Sequence, residues 1–367
     1  MSPFLSGTFG NPSGGHAVAR AAKTALEDAR EIVAARLGAT PAEVVFTAGG
    51  SEADNLAVKG AAYAARDAGT GDGVVTVAFE HKAVLAACDR LDAEGFRVTR
   101  VGATADGIVD LDALRDALDE RTVVISVMLV NNEVGTIQPL DVVADLAQER
   151  APRAVLHTDA VQAVSWVDVA QLTRDVPLVS ISAHKFGGPK GTGALVVRGG
   201  TPLIPLIEGG GQERGLRAGT SDVAGVTAMA AALEVTVASR AAEVGRIAAL
   251  RDRLVDGLLG AVPGAFENGD RARKVAGNAH VGFGGVEAEA LLVMLDDLGV
   301  YAAAGSSCSS GATEPSHVLA AMGIAPDAAL SSVRFSLGYA STDADVTVAL
   351  DVVPEAVEKM RVATGAL

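Results

Sequence analysis

The sequence is poor in cysteine, aromatic residues and basic residues. Its 367 residues include only two cysteines, and aromatic residues make up 4%. Two cysteines are too few for a disulfide framework, which favours a reducing, cytoplasmic location. Lysine and arginine number 30 against 45 acidic residues, giving a net charge of −15. Because no basic cluster of the nucleic-acid-binding type occurs, the composition argues against direct binding of nucleic acid.

Features of membrane and metal-binding proteins are also missing. The N-terminus lacks the basic and long apolar regions of a signal peptide. The best candidate for a membrane span, residues 223–238, is interrupted by Glu234. His16, His157, His280 and His317 show no ligand spacing. We therefore expect no membrane association and no metal site.

Helical and β-branched segments alternate along the first half of the chain. This pattern predicts an α/β fold with a mostly parallel sheet covered by helices on both faces. Seven strands are predicted, at residues 43–47, 74–78, 97–101, 123–128, 154–159, 178–182 and 194–197. The helices between them are predicted at about 14–37, 52–67, 81–93, 110–118 and 139–150.

The length of the chain fits one large and one small domain. After the predicted sheet, the pattern indicates a long helix, a strand and then further elements at 287–298 (helix), 315–322 (helix), 334–337 (strand) and 343–361 (helix). These elements are typical of an α+β unit. We predict a large domain over residues 14–240 and a small domain made of residues 1–13 and 241–367.

Cys308 lies in a run of alanine, glycine and serine, residues 302–312, that has no apolar periodicity. Such a run predicts a loop that exposes the thiol. An accessible thiol suits a nucleophile or a carrier when its surroundings hold it as thiolate. A plain surface cysteine is the alternative. Cys88, which lies among alanines on a predicted helix, is interpreted as a small core residue.

Lys185 follows a predicted buried strand, and glycines come directly after it. Apolar neighbours there would desolvate the ammonium group and free the amine to form a Schiff base. The His-Lys pair alone is better explained as an exposed loop. Asp159, however, ends the preceding predicted strand, where a carboxylate can keep the ring nitrogen of pyridoxal phosphate protonated. Asp159 also fits a helix N-cap.

A phosphate site is predicted where Thr47-Ala-Gly-Gly-Ser joins a strand to a helix. The backbone N–H groups of Gly50 and Ser51, together with the helix dipole, favour an anion. A turn of this kind is weak evidence alone. Combined with the lysine and the strand-end acid, it indicates the phosphate of pyridoxal phosphate.

Longer motifs match one known family. They are TAGGSEADNLAVKG (47–60), EHKAV (80–84), NNEVGTIQP (131–139), HTDAVQ (157–162), SAHKFGGPKG (182–191), GGGQERGLRAGT (209–220), GSSCSSG (305–311), EPSHVL (314–319) and RFSLG (334–338). From about residue 7 to its C-terminus the chain resembles the class V pyridoxal-phosphate enzymes, and within them the cysteine desulfurases. The resemblance implies fold type I, with a mostly parallel seven-stranded sheet in the large domain and a smaller α+β domain.

The resemblance also implies cofactor-binding roles. Lys185 would form the Schiff base, and Asp159 would pair with the ring nitrogen. Gln162 would hydrogen-bond the ring hydroxyl. His81 would stack on the ring and move protons, although from the residues alone it could merely cap a helix.

The phosphate and the substrate have their own implied ligands. The phosphate would be held by a set of small or polar residues, namely Gly50, Ser51, Ser182 and His184. Thr220 would reach the phosphate from the second subunit of a homodimer. Asn132 and Arg334 would bind the substrate carboxylate, which an arginine fork suits. The Asn131-Asn132 pair alone is also explained as a simple turn.

The activity implied is the conversion of L-cysteine to L-alanine. Lys185 would remove the Cα proton, and the Cys308 thiolate would take the sulfur as a persulfide and pass it to a scaffold or carrier protein, as in iron-sulfur cluster assembly. Alternatives are a selenocysteine lyase, a silent scaffold partner of a sulfur carrier, or a related lyase or epimerase, which would not need Cys308. The family's N-terminal strand with its Ala-Thr-Thr-Pro loop is absent here. Cofactor binding is still expected, because no implied cofactor contact lies in it.

Overall fold

The structure, a computed structural model, describes residues 1–305 and 315–365 as two compact units. The first unit comprises Met1–Val101, Leu111–Val130 and Gln138–Arg240, and the second comprises Gly102–Asp110, Asn131–Ile137 and the chain from Ala241 on. Residues 1–13 lie in the first unit, whereas the sequence analysis assigned them to the small domain. The difference arises from close packing: a Cβ added to Gly10 would lie 2.9 Å from the carbonyl oxygen of Val18.

A seven-stranded sheet lies at the centre of the first unit. Its strands are β1 (Val44–Thr47), β2 (Gly73–Val77), β3 (Arg97–Val101), β4 (Thr122–Ser126), β5 (Val155–Asp159), β6 (Leu178–Ser182) and β7 (Gly193–Val197). Their spatial order is β1, β7, β6, β5, β4, β2, β3. Strand β7 runs antiparallel to both of its neighbours, and the other pairs are parallel. The prediction of a mostly parallel seven-stranded sheet is confirmed.

Helices cover the sheet of the first unit. They are α1 (Ala17–Arg36), α2 (Gly50–Asp67), α3 (Lys82–Ala93), α4 (Leu111–Ala117), α5 (Leu140–Arg150) and α6 (Val169–Leu172). Strands β1, β2, β4, β6 and β7 are buried along their whole length. This burial is typical of strands with helices on both faces. The core therefore lies on both sides of the sheet.

The second unit has an antiparallel sheet and its own helices. Its strands, β8 (Ala265–Glu267), β9 (Asn278–Phe283) and β10 (Ser332–Ser336), lie in the order β10, β9, β8. The helices are α7 (Val223–Ala261), which begins in the first unit, α8 (Ala288–Asp297), α9 (His317–Ala321), α10 (Pro326–Leu330) and α11 (Asp343–Thr364). Helices α6 and α10 were not predicted, because segments of four and five residues show no helical periodicity.

Helix α7 is the one segment in the described part of the chain that is long and apolar enough to cross a membrane. It has 39 residues, and 39% of its most apolar window is buried within the structure. A single helix of this kind is weak evidence for a span, because core helices pass the same test.

Candidate active site

The predicted site residues of the first unit gather at one edge of its sheet. Strands β1, β5 and β6 end at Thr47, Asp159 and Ser182 and point the same way. A 3₁₀ helix, Ala183–Phe186, follows β6 and carries Lys185. This is the edge at which open α/β sheets bind their ligands.

Asp159 is a buried carboxylate that has His81 and Lys185 as neighbours. Asp159 is only 4% exposed. Its Oδ1 accepts a hydrogen bond of 2.8 Å from the N–H of Val161. Burial raises the pKa of Asp159, while the charges of His81 and Lys185 lower it. A protonated ring nitrogen would favour the ionised form of this carboxylate in the same way.

His81 lies beside Asp159. One side-chain N or O atom from each of His81, Asp159 and Asp54 lies within 4.8 Å of the other two, a spacing that by distance alone could also suit a metal ion. The residue caps helix α3, and its Nδ1 accepts a hydrogen bond from the N–H of Ala83. In a neutral ring this places the proton on Nε2. The capping role and a role at the site are therefore compatible.

Lys185 is exposed, so the expectation that apolar neighbours would bury it is wrong. One turn of 3₁₀ helix directs Ala183 and Phe186 into the core and leaves His184 and Lys185 outside. The pKa of His184 is lowered by partial burial and by the charges of Lys185 and Lys190. The Nδ1 of His184 and the Oγ of Ser182 share a hydrogen bond of 2.9 Å.

The turn from β1 to α2 forms a close-packed cradle. Gly49 has a φ of +145°, which favours glycine, and α2 begins at Gly50. A Cβ on Gly50 would lie 2.7 Å from Cγ2 of Val161 and 3.4 Å from Cβ of Ser182. The start of an 18-residue helix thus lies against the turn after Asp159 and the end of β6. The positive end of the helix dipole favours an anion there.

Three other residues predicted to bind the cofactor are less buried than Asp159. Ser51 and Thr220 are exposed, and Gln162 is half-buried in the turn after β5. Thr220 lies in the segment that precedes α7. The site therefore has a group suited to each part of pyridoxal phosphate. The buried acid suits the ring nitrogen and the imidazole suits the ring face. The lysine suits the aldehyde, and the start of the helix suits the phosphate.

A layer of buried polar groups behind Asp159 was missed by the sequence analysis. Both ring nitrogens of His157 bond hydroxyls, Nδ1 to Ser126 at 2.9 Å and Nε2 to Ser180 at 3.0 Å. Burial lowers the pKa of His157 to about 3, so the ring is neutral at neutral pH. Burial and the charge of Asp159 raise the pKa of Asp54 and of Glu80 well above the usual range. Asp54 could have been recognised from the sequence, because it is an acidic residue on the buried face of helix α2.

Asn132 and Arg334 come together in the second unit. Nη1 of Arg334, on β10, donates a hydrogen bond of 2.6 Å to the carbonyl oxygen of Asn132. Among the described residues, Nε of Arg334 and Oδ1 of Asn132 are buried without a hydrogen-bond partner. Buried polar atoms of this kind are expected to bind a ligand or water. The pair is thus suited to a polar substrate group.

The two thiols differ in what the structure describes. Cys308 falls within residues 306–314, which lie outside the described residues. Cys88 is fully buried in the core of the first unit, as predicted, and burial raises its pKa to about 12. A thiol with this pKa is unreactive at neutral pH.

Gly50→Ala is expected to weaken binding of pyridoxal phosphate about tenfold, because overpacking of this kind costs about 1 to 3 kcal/mol. The new methyl group would displace Val161, whose N–H holds Asp159. Titration of the cofactor-free protein with pyridoxal phosphate measures the change. Gly245→Ala is the matched control, because a Cβ there meets nothing within 4 Å. Equal affinity in the Gly50 variant would show that the cradle does not touch the ligand.

The chain is similar to known proteins over nearly its whole length. A family model described as aminotransferase class-V matches residues 1–348. The chain is 42% identical over 361 residues to "Cysteine desulfurase IscS" of Methanosarcina thermophila, covering 98% of this chain and 88% of that protein. A solved structure titled "NIFS-LIKE PROTEIN" matches with a TM-score of 0.91 and 34% identity, covering 98% and 94% of the two chains. Another, "SspA in complex with cysteine", has a TM-score of 0.79 and 33% identity, covering 91% and 92%.

Proposed function

The chain belongs to the aminotransferase class V family, and from that premise we propose that it is a cysteine desulfurase dependent on pyridoxal phosphate. It converts L-cysteine to L-alanine and retains the sulfur on Cys308 as a persulfide. The similar structure titled "SspA in complex with cysteine" supports this choice of substrate. Together these features describe a sulfurtransferase.

The observation that carries the proposal is the environment of Asp159. A carboxylate buried at a strand end, with its pKa raised by burial, is stabilised in its ionised form by a cation. The ring nitrogen of pyridoxal phosphate supplies that cation when it is protonated. His81 and Lys185, two neighbours that lower the pKa of Asp159, are residue types that this chemistry uses.

The chain's own residues have separate tasks toward the cofactor. Lys185 would hold the aldehyde carbon through Nζ, and Gln162 the ring hydroxyl. The phosphate would be bound by small and polar groups at the sheet edge, which are Gly50, Ser51, Ser182 and His184, with Thr220 contributed by the second copy in a homodimer. When bound, the cofactor supplies a sink for the electron pair left at the substrate Cα.

Proton transfer falls to Lys185 and His81. Nζ of Lys185 removes the proton from the substrate Cα. Lys185 is exposed, so its Nζ is accessible to the substrate. The Nε2 of His81 carries a proton in the neutral ring and can donate it beside Asp159. Asp159 would hold the ring nitrogen of the cofactor in its protonated form.

Substrate orientation falls to Arg334 and Asn132. The guanidinium of Arg334 binds the substrate carboxylate, and its unpartnered Nε provides a donor for that bond. Asn132 lies beside this group and adds a side-chain amide. The thiol of the bound amino acid is then presented to Cys308.

Sulfur transfer then proceeds through Cys308. Its thiolate attacks Sγ of the substrate, an S–S bond forms, and the Cβ–Sγ bond breaks. The electron pair of that bond stays on Cβ, which takes a proton and becomes the methyl group of alanine, and Nζ of Lys185 returns a proton to Cα. The persulfide passes to an acceptor protein in the cytoplasm, in uses that include iron-sulfur cluster assembly.

Incubation of the cofactor-loaded protein with L-cysteine and a thiol reductant tests the proposal. Alanine and sulfide are expected in equal amounts. Pyruvate with ammonia and sulfide would indicate a lyase instead and overturn it, as would the absence of product. A parallel incubation with L-selenocysteine separates the second candidate: a selenocysteine lyase would form alanine from the selenium compound and little from L-cysteine.

A further inference from the structure

Five buried polar side chains form a continuous chain of hydrogen bonds in the first unit. They are Asp54, Ser180, His157, Ser126 and Glu80, each at most 1% exposed. The three central residues lie on the neighbouring strands β6, β5 and β4. The ring of His157 bonds the hydroxyls of Ser180 and Ser126 at 3.0 and 2.9 Å. These hydroxyls in turn bond Asp54 and Glu80, so the chain ends in a carboxyl group on each side.

The number of protons in this chain is fixed by its chemistry. Each of the two serine hydroxyls can donate one proton. His157 is neutral, because burial lowers its pKa to about 3, and its ring therefore donates one proton as well. Three protons serve only three of the four hydrogen bonds. The fourth proton has to come from a carboxyl group, which means that Asp54 or Glu80 is protonated.

The hydrogen bonds around the two acids favour Asp54 as the protonated one. The carboxyl group of Glu80 also accepts hydrogen bonds from the backbone N–H groups of Met128 and His81, which stabilise a negative charge there. Oδ1 of Asp54, by contrast, is buried without a hydrogen-bond partner among the described residues. Within the described part of the chain, the one basic group at ion-pair distance from Asp54 is the neutral ring of His157, whose Nε2 lies 3.6 Å from Oδ1.

The position of Asp159 makes a negative charge on Asp54 still less favourable. An oxygen of each carboxyl group lies within 4.8 Å of the other, with a ring nitrogen of His81 in the same range. Two buried carboxylates at this separation repel each other, so one of them retains a proton. His81 and Lys185 both act to lower the pKa of Asp159, which favours ionisation of Asp159. The proton of the pair therefore belongs on Asp54.

We infer that Asp54 is a positioning residue that bears this buried proton, donates it to Ser180 and leaves the negative charge to Asp159. The inference rests on the proposed function, in which Asp159 pairs with the ring nitrogen of the cofactor. An uncharged Asp54 gives that nitrogen a single anionic partner. It also holds His157, through Ser180, on the strand that ends at Asp159.

A proton on Asp54 sets the direction of every hydrogen bond in the chain. Ser180 then donates to Nε2 of His157, Nδ1 of His157 donates to Ser126, and Ser126 donates to Glu80. This direction requires the proton of the His157 ring on Nδ1. A chain that starts from Glu80 runs the other way and requires that proton on Nε2.

The tautomer of His157 tests the inference without any turnover. Nitrogen-15 NMR of the cofactor-loaded protein, labelled at histidine, shows which ring nitrogen bears the proton. His157→Gln identifies the signal of His157. The expected result is a proton on Nδ1. A proton on Nε2 would place the start of the chain at Glu80 and overturn the inference.

Infrared spectroscopy tests the charge of Asp54 directly, since a neutral carboxyl group absorbs apart from ionised carboxylates. Native protein should show a neutral carboxyl band that Asp54→Asn removes. Asp67→Asn is the matched control, because Asp67 is an exposed acid on the same helix, α2, and its substitution should leave the band in place. If Asp54→Asn removed no such band, Asp54 would be ionised and the inference would be wrong.

Steady-state kinetics with L-cysteine tests the positioning role. Asp54→Leu removes the donor to Ser180 and should lower kcat about tenfold, with little change in KM. Asp54→Asn, which keeps an N–H donor and lacks the charge, should recover most of that loss. An asparagine variant as slow as the leucine variant would show that a charge on Asp54 is required and overturn the inference. Failure of native protein to form alanine would contradict the proposed function instead, and would leave the NMR and infrared results intact.

Discussion

Cys308→Ser is expected to lower the rate of alanine and sulfide formation from L-cysteine about 100-fold or more, equivalent to about 2.7 kcal/mol in the activation barrier. A serine hydroxyl is far less ionised than a thiol at neutral pH and is a weaker nucleophile toward sulfur. The S–S bond then does not form, and the Cβ–Sγ bond loses its main route of cleavage. Steady-state assays of both products measure the effect.

The sequence offers a matched control for this substitution. Cys88→Ala removes the other thiol, which is buried and has a pKa of about 12. It should keep near-native activity, and native and both variants should bind equal amounts of cofactor. Sulfide release from Cys308→Ser at the native rate would show that the thiol is not the attacking group.

Lys185→Ala is expected to lower kcat about 1000-fold, which lies within the range for removal of a general acid or base. The variant loses the group that takes the Cα proton and the covalent bond to the cofactor. Borohydride reduction followed by denaturation gives a second readout, since native protein should retain the cofactor and the variant should release it. Binding before reduction should persist, because Asp159 and the helix start remain.

Lys190→Ala is the control for Lys185, because Lys190 is an exposed lysine that follows it closely in the same loop. Near-native activity and covalent retention of the cofactor are expected. If Lys185→Ala retained the cofactor after reduction and denaturation, another amine would hold it and the assigned role would be wrong.

The fold was predictable because its signals are local. The seven predicted strands agree with the structure to within two residues at each end, since β-branched runs bounded by turns identify buried strands. The position of Asp159 at a strand end followed from the same pattern. Its neighbours at the sheet edge could then be anticipated from topology.

The remaining features depend on contacts between distant residues. His157 is held by Ser126 and Ser180, which lie on neighbouring strands and share no local pattern with it. The exposure of Lys185 depends on one turn of 3₁₀ helix, a structure too short to show periodicity. The contact of Glu133 with Ser316 joins residues 183 positions apart. Polar partners of this kind are visible only after folding.

Because Cys88 is buried, its reaction with a thiol reagent can report local unfolding of the first unit. A thiol-specific reagent in excess near neutral pH reacts with ionised, accessible sulfur, and Cys88 meets neither condition while the first unit is folded. Each opening of the core around α3 exposes it. The rate at which Cys88 becomes labelled therefore measures how often that core opens, without any substitution in the protein.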